Sequence, residues 1–222
     1  MFREAPEFVD RADAGRRLAT ALAHLKPARP LVLALPRGGV PVAYEVAQAL
    51  GAELDVLLVR KIGAPGQPEL GLGAVVDGSD PQVVWNEEAI RLIRPSQQYL
   101  AAETRRELAE IERRRRVYFG DDSAYPTKDR TVIIVDDGIA TGGTIRSALR
   151  AVRRTDPAGL VLAVPVAPRD AVASLAREAD EIVCLATPDP FYAVGLHYAD
   201  FSQTTDDEVK ALLARARAMA AS

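Results

Sequence analysis

Two adjacent acidic residues follow an apolar run in the second half of the chain. The stretch TVIIVDDGIATGGT covers residues 131–144, and it places Asp136 and Asp137 between the apolar run and a loop of small residues. Backbone N–H groups of a glycine-rich loop that opens a helix can hold a phosphate dianion. Two carboxylates beside that loop accept hydrogen bonds from the vicinal hydroxyls of a ribose. The stretch therefore predicts a ribose phosphate site.

Other phosphate motifs and a purely structural origin fit this stretch less well. Gly138 and Gly143 have the glycine spacing of a P-loop, but Thr144 stands where that motif needs lysine, and no dinucleotide fingerprint is present. An Asp at a strand end, a glycine turn and a threonine cap are also ordinary structural features. That interpretation explains one Asp but not two.

A second loop of small residues occurs near the N-terminus, in LALPRGGVPVAYEV. Pro36, Arg37, Gly38 and Gly39 lie between an apolar run and a helical pattern. Exposed N–H groups and one guanidinium there can hold a diphosphate. The alternative is an ordinary glycine-rich turn between a strand and a helix.

A third candidate segment, VRKIGAPGQPELGLGAV, begins at Val59. Arg60 and Lys61 follow an apolar run and precede a stretch rich in glycine and proline. We expect either a mobile loop that grips phosphate or a surface hairpin with no role in binding.

The elements that position these loops alternate between strands and helices. Short continuous runs of Val, Ile and Leu indicate strands that are covered on both faces of a parallel sheet. Segments with helical spacing separate several of them, so the chain belongs to the α/β class. The predicted strands are 31–35, 54–59, 131–135, 160–166 and 181–186, and the predicted helices include 10–25 with Asp10 as N-cap, 40–52 and 144–154.

The interval 61–130 interrupts this alternation and is predicted to be a helical insertion. Its persistent pattern covers 96–119, where Leu100, Thr104, Leu108 and Ile111 share one helical face. The run 113–116 consists of four arginines, which we interpret as a solvated helix face. The alternative is a cationic cover or a subunit contact near an anionic ligand.

Length and composition set the remaining limits. The chain has 222 residues, 48% hydrophobic residues and a net charge of -3, which fits one domain over 1–222 and argues against nucleic acid as a partner. One cysteine and two histidines argue against a disulfide framework and a zinc site, and Cys184 is interpreted as a small buried hydrophobe. No apolar run is long enough to span a membrane, so we expect a cytoplasmic protein.

The stretch VIIVDDGIATGGT resembles the signature of the type I phosphoribosyltransferases, and its wording is most similar to that of the adenine-specific branch. The resemblance implies a central parallel sheet flanked by helices, an insertion at about 61–130 and a small C-terminal hood at about 185–205 that binds a base. It also implies 5-phosphoribosyl 1-diphosphate (PRPP) as substrate, Mg2+ as cofactor and a homodimer.

The resemblance assigns a role to each candidate residue. Asp136 and Asp137 would hold the ribose hydroxyls and contact Mg2+ indirectly, while Arg37 and Lys61 would stabilise the departing diphosphate. The diphosphate would be bound by Pro36, Arg37, Gly38, Gly39, Arg60 and Lys61. The 5-phosphate would be bound by Gly138, Ala140, Thr141, Gly142, Gly143 and Thr144.

The segment ATPDPFYAVGLHYADF resembles the part of the purine enzymes that carries an aromatic residue stacked on the base. Phe191, and beside it Tyr192, would form this platform, whereas the alternative is an aromatic cluster without a ligand. Ala140 stands where the hypoxanthine and guanine branch carries an Asp, which favours a 6-amino base.

The resemblance predicts transfer of ribose 5-phosphate from PRPP to a nitrogenous base, with release of diphosphate. Two other functions use the same cleft. One is a regulator that binds PRPP without turnover, and the other is a hydrolase of ribose phosphates.

Overall fold

The computed structural model of the chain describes residues 6–78, 80–120 and 123–220, and these residues form strands and helices that alternate along much of the chain. The strands are β1 (Leu31–Ala34), β2 (Glu53–Val56), β3 (Val59–Ala64), β4 (Gln67–Val76), β5 (Gln82–Trp85), β6 (Thr131–Val135), β7 (Gly159–Val166) and β8 (Glu181–Ala186). The helices are α1 (Arg11–Ala21), α2 (Gly39–Leu50), α3 (Glu87–Ile93), α4 (Gln97–Phe119), α5 (Gly143–Arg153), α6 (Arg169–Leu175) and α7 (Asp206–Ala220).

The central sheet is parallel and has the order β2-β1-β6-β7-β8. β1 and β6 are neighbours, with Leu31 opposite Val132 and Ala34 opposite Val135. The predicted α/β class is therefore confirmed, and so are the predicted strands, except that 54–59 ends at Val56 in β2 and its last residue, Val59, begins β3 of another sheet. Because neighbouring parallel strands end at the same edge of a sheet, the loops after β1 and β6 emerge side by side.

Apolar side chains cover both faces of this sheet, as the continuous apolar runs predicted. Val32 and Ile133 belong to one buried cluster together with residues of α1, α2 and α7. The residues that follow them, Leu33 and Ile134, belong to a second cluster with residues of α5 and α6. Alternate residues of each strand thus face opposite layers of helices, which fixes the sheet between them.

The helices begin and end at residues that suit these positions. Asp10 caps α1, because its Oδ1 accepts a hydrogen bond of 2.7 Å from the Asp13 backbone N–H. α2 ends at Gly51, which has the left-handed φ of 63° that glycine adopts without steric cost.

Within the described ranges, no helix combines the length and the apolar character needed to cross a bilayer.

The predicted insertion contains a second sheet as well as helices. β3, β4 and β5 form an antiparallel sheet in that order, with an irregular register around Gly63. The helical pattern of 96–119 is confirmed as α4, which Ser96 caps through its hydroxyl. For 59–75 the sequence left open a mobile loop or a surface hairpin, and β3 and β4 form a hairpin. The sheet as a whole, with β5, was not predicted, because glycine and proline interrupt the apolar pattern of β4.

The arginine run on α4 is only partly the solvated face that the sequence predicted. Arg113 and Arg114 both pair with Glu110, and Arg116 pairs with Glu112 at the helix surface. Arg115 differs from them because its guanidinium is largely buried and bridges the carboxylates of Asp55 and Asp77. The interpretation of a solvated face is therefore wrong for Arg115, which ties α4 to the ends of β2 and β4.

Candidate active site

The two acidic residues lie at the carboxyl end of β6, where the fully buried run Val132–Val135 ends. Asp136 Oδ1 accepts a hydrogen bond of 2.9 Å from the Asp137 backbone N–H. Burial, and after it the charge of Asp137, raise the pKa of Asp136 well above its ordinary value. The negative charge of Asp137 therefore opposes the ionisation of Asp136.

Asp137 has a charged partner that sequence reasoning missed. Arg11 Nε donates to Asp137 Oδ2 over 2.8 Å, and side-chain exposures of 12% and 15% show that this pair is largely withdrawn from solvent. The same guanidinium donates from Nη1 to the Ser202 backbone oxygen and lies 3.9 Å from the centre of the Phe201 ring. Arg11 thus joins α1, the acidic pair and the C-terminal segment.

Tyr198 is a second contact that the motifs did not reveal. Its hydroxyl donates to the Asp137 backbone oxygen over 2.6 Å, and its ring packs between Phe8 and Phe201. Burial, followed by the charge of Asp137, raises the pKa of Tyr198, so that it remains a neutral donor. Arg11 and Tyr198 are 126 and 61 residues away from Asp137 in the chain, and no local pattern marks either of them.

The loop after β1 lies directly against the acidic pair. A Cβ on Gly38 would stand 2.0 Å from Asp137 Oδ2, and a Cβ on Gly39 would stand 2.8 Å from the Val135 backbone oxygen. Such distances leave no room for a side chain, so both glycines are needed for the close approach of the two loops. The Pro36–Arg37 peptide bond in this loop is cis.

Arg37 extends from this loop toward the start of α7. Its Nη1 lies 4.0 Å from Asp206 Oδ1, and 39% of its side chain is exposed. Asp206 also accepts a hydrogen bond of 2.8 Å from the Tyr118 hydroxyl. Burial and this hydrogen bond raise the pKa of Tyr118 to about 12. The guanidinium of Arg37 is therefore partly exposed and accessible to an anionic ligand, and it forms a long ion pair with Asp206.

The small-residue loop after the acidic pair opens α5. Gly142 is the N-cap, with a left-handed φ of 76°, and it has no side chain with which to cap the helix. Thr141, Gly143 and Thr144 are exposed at this end. The N–H groups of the first turn and the two hydroxyls can therefore be offered to a phosphate.

Arg60 and Lys61 lie in β3 and line a cavity of about 1110 Å³ together with Thr141, Gly143 and Thr144. The structure thus brings these two cations to the predicted 5-phosphate loop. The lining of the cavity does not include Asp136, Asp137 or residues 36–39, so the predicted diphosphate residues fall into two groups. One group packs on the acidic pair, and the other faces the start of α5.

The predicted base platform lies in the irregular segment between β8 and α7. The Phe191 ring stacks on the His197 ring, with centres 5.3 Å apart and planes 20° apart. Tyr192 is 77% exposed and does not share this stack. Phe191 is therefore held in place by this stack and by packing on the buried cluster that contains Phe8 and Tyr198, whereas Tyr192 projects into solvent.

Among the described residues, no group of three or more His, Cys, Asp or Glu side chains lies close enough to hold a metal ion.

Cys184, which the sequence analysis interpreted as a small buried hydrophobe, is partly buried in β8. Burial raises the pKa of its thiol and disfavours a thiolate nucleophile.

Comparisons with known proteins identify the family. A sequence model of the phosphoribosyl transferase domain matches residues 10–198. The chain is 49% identical over 209 residues to the Mycobacterium tuberculosis protein Rv0571c, whose name describes it as a putative phosphoribosyl transferase. That match covers 94% of this chain but 47% of the relative, so the chain spans about half the length of this relative.

Solved structures of similar proteins support the fold. The crystal structure of TT1426 from Thermus thermophilus matches with a TM-score of 0.80 and 46% identity, over 94% of this chain and 98% of that one. A hypothetical protein from Neisseria gonorrhoeae with bound ppGpp matches with a TM-score of 0.51 and 13% identity, over 96% and 98% of the two chains. The second likeness concerns the fold alone.

Proposed function

The chain belongs to the phosphoribosyltransferase family of glycosyltransferase enzymes, and on that premise we propose that it transfers the ribose 5-phosphate group of PRPP to a nitrogenous base. The observation that carries this proposal is the contact between the loops after β1 and β6. Gly38 and Gly39 pack on the acidic pair so closely that no side chain would fit between them. A ribose held by the carboxylates would thus have its C1 substituent beside Arg37.

In this proposal each loop binds one part of PRPP. Asp136 and Asp137 accept hydrogen bonds from the ribose hydroxyls, and the first turn of α5 with Thr141 and Thr144 holds the 5-phosphate. Residues 36–39, Arg60 and Lys61 hold the diphosphate. Phe191 stacks on the acceptor base with the part of its ring that remains exposed.

The reaction needs no protein nucleophile. A nitrogen of the base forms a bond to C1 as the bond from C1 to the diphosphate oxygen breaks, and the diphosphate leaves with the electron pair. The base then loses its extra proton to solvent. Arg37 and the surrounding N–H groups stabilise the negative charge that develops on the departing group.

The donor set fits Mg2+ held mainly by oxygens of the ligand and by water. Carboxylate oxygens are hard ligands suited to this ion, but the described carboxylates at the end of β6 are the single pair Asp136 and Asp137, and Asp137 Oδ2 is already engaged by Arg11. Asp136 and Asp137 would therefore contact the ion indirectly. When bound, Mg2+ supplies positive charge that neutralises the diphosphate.

Product analysis of the purified protein with PRPP and Mg2+ tests this function. Adenine, guanine, hypoxanthine, uracil and orotate are offered separately. We expect equal amounts of a nucleoside monophosphate and of inorganic diphosphate. Adenine should be preferred, because Ala140 cannot exchange a proton with a 6-oxopurine. The double variant Asp136→Asn/Asp137→Asn is the control and should be inactive. A preference for guanine or hypoxanthine would contradict the argument from Ala140.

Two other results would contradict the transferase proposal and identify one of the two alternative functions instead. Release of diphosphate and ribose 5-phosphate at the same rate with and without a base would identify a hydrolase. Binding of PRPP without any turnover would identify a regulator that senses this ligand.

A further inference from the structure

The insertion contributes a buried carboxylate that contacts one of the candidate phosphate-binding cations. Glu107 lies on α4 with 4% of its side chain exposed, and its Oε2 accepts a hydrogen bond of 2.7 Å from Arg60 Nε. Its other oxygen, Oε1, accepts from Arg106 Nη2 over 2.9 Å. We propose that Glu107 is a positioning residue that orients the guanidinium of Arg60 toward the diphosphate of PRPP. This inference rests on the proposed function.

The bond to Glu107 uses a single nitrogen of Arg60. A guanidinium has five N–H donors in a rigid planar arrangement, so a contact at Nε fixes the plane and leaves the Nη groups for a ligand. Arg60 is 35% exposed and lines the cavity that also contains Thr141 and Thr144. The side chain is thus anchored at its buried side and open on the side of the cavity.

The cavity that Arg60 lines has room for more than the 5-phosphate. A volume of about 1110 Å³ far exceeds that of one phosphate group. The N–H groups at the start of α5 already provide a site for the 5-phosphate. In the proposed function the 5-phosphate occupies that site, so Arg60, which lies on β3 and lines the same cavity, is left to contact the diphosphate together with residues 36–39.

Two more contacts from α4 keep Arg60 in place. The Tyr99 hydroxyl donates to the Gly63 backbone oxygen over 2.9 Å, which fixes β3 three residues beyond Arg60. Arg115 binds Asp77 at the end of β4 with a bond of 2.9 Å. The hairpin of β3 and β4 is therefore held by α4 on both sides of Arg60, without any ligand. This arrangement lowers the cost of ordering the guanidinium on binding.

Lys61 provides the contrast within the same strand. Its Nζ donates to the Glu69 backbone oxygen and lies 3.5 Å from a Glu69 carboxylate that is 98% exposed. Both groups belong to the hairpin itself, and neither is withdrawn from solvent. Of the two cations, Arg60 is the one whose orientation a buried group determines.

Titration calorimetry with PRPP and Mg2+, and separately with ribose 5-phosphate, tests the proposal. Glu107→Gln keeps the shape of the side chain but removes the charge that anchors Arg60, and we expect PRPP affinity to fall about tenfold. Ribose 5-phosphate lacks the diphosphate, so its affinity should stay unchanged. Arg60→Ala should show the same selective loss, and Arg60→Ala/Glu107→Gln should lose no more than Arg60→Ala alone.

Glu110→Gln is the matched control, because Glu110 lies on the same helix and also holds two arginines, but at the surface. It should bind both ligands like the unmodified protein, and circular dichroism should show all variants folded. Unchanged PRPP affinity in Glu107→Gln would overturn the proposal. Equal losses for PRPP and ribose 5-phosphate would overturn it too. If the unmodified protein binds no PRPP, the proposed function fails instead.

Discussion

Replacing Asp136 by asparagine should strengthen folding at neutral pH and weaken ligand binding. Burial and the neighbouring carboxylate of Asp137 raise the pKa of Asp136 in the folded protein. Folding then becomes less favourable as the pH rises from the ordinary carboxyl pKa to the raised one, because the unfolded chain ionises first. Each unit of difference costs about 1.4 kcal/mol. Asparagine carries no charge and avoids this cost.

The substitution also preserves the local hydrogen bond. Asp136 Oδ1 accepts from the Asp137 backbone N–H over 2.9 Å, and the amide oxygen of asparagine can accept the same bond. The ligand, by contrast, loses a charged acceptor for a ribose hydroxyl. Hydrogen bonds to charged groups contribute about 1.5–3 kcal/mol each, so PRPP affinity should fall by about 10- to 150-fold.

Urea denaturation of Asp136→Asn and of the unmodified protein measures the first effect. The variant and the unmodified protein should have the same free energy of unfolding at about pH 4 or below, and the variant should be more stable at about pH 8. Asp207→Asn is the control, because that carboxylate is 94% exposed, and the substitution should change stability little at either pH. A stability difference that is the same at both pH values, or unchanged PRPP affinity by calorimetry, would refute the reasoning.

Three other substitutions test separate contacts. Arg37→Ala should weaken PRPP binding but not ribose 5-phosphate binding in calorimetry, and equal losses would indicate a general defect. Gly38→Ala places a methyl group against the Asp137 carboxylate, so it should cost about 1–3 kcal/mol in urea denaturation and also lower PRPP affinity. Arg115→Leu leaves two buried carboxylates without their cation and should cost about 3–5 kcal/mol, whereas Arg113→Leu at the surface should change stability little.

The central sheet and the loops at its edge could be predicted because their signals are local. A run such as Val132–Val135 is continuous and apolar, which is typical of a strand covered on both faces. Asp10 and Gly51 begin and end helices by short-range rules that the sequence shows directly. The structure adds that β1 and β6 are neighbours, so that the loops after them are in contact at one edge of the sheet.

The contacts that complete the site depend on pairs of residues far apart in the chain. Arg11 looks like an ordinary first-turn arginine of α1, and Arg115 is one of four consecutive arginines. Nothing in the sequence distinguishes Arg115 from its neighbours, because its burial depends on where Asp55 and Asp77 lie in three dimensions. The sequence shows that these residues are arginines, but it does not show which carboxylates they pair with across the fold.

The acidic pair is asymmetric, and this asymmetry suggests how binding and stability are related. Asp137 has the guanidinium of Arg11 at 2.8 Å, whereas the described contact of Asp136 is a backbone N–H at 2.9 Å. Asp136 is therefore the carboxylate whose ionised form the protein stabilises less. Ribose hydroxyls would supply it with additional donors, so part of the affinity would come from relieving a cost that folding leaves in place. The same donors would add less at Asp137, where Arg11 already satisfies one carboxylate oxygen.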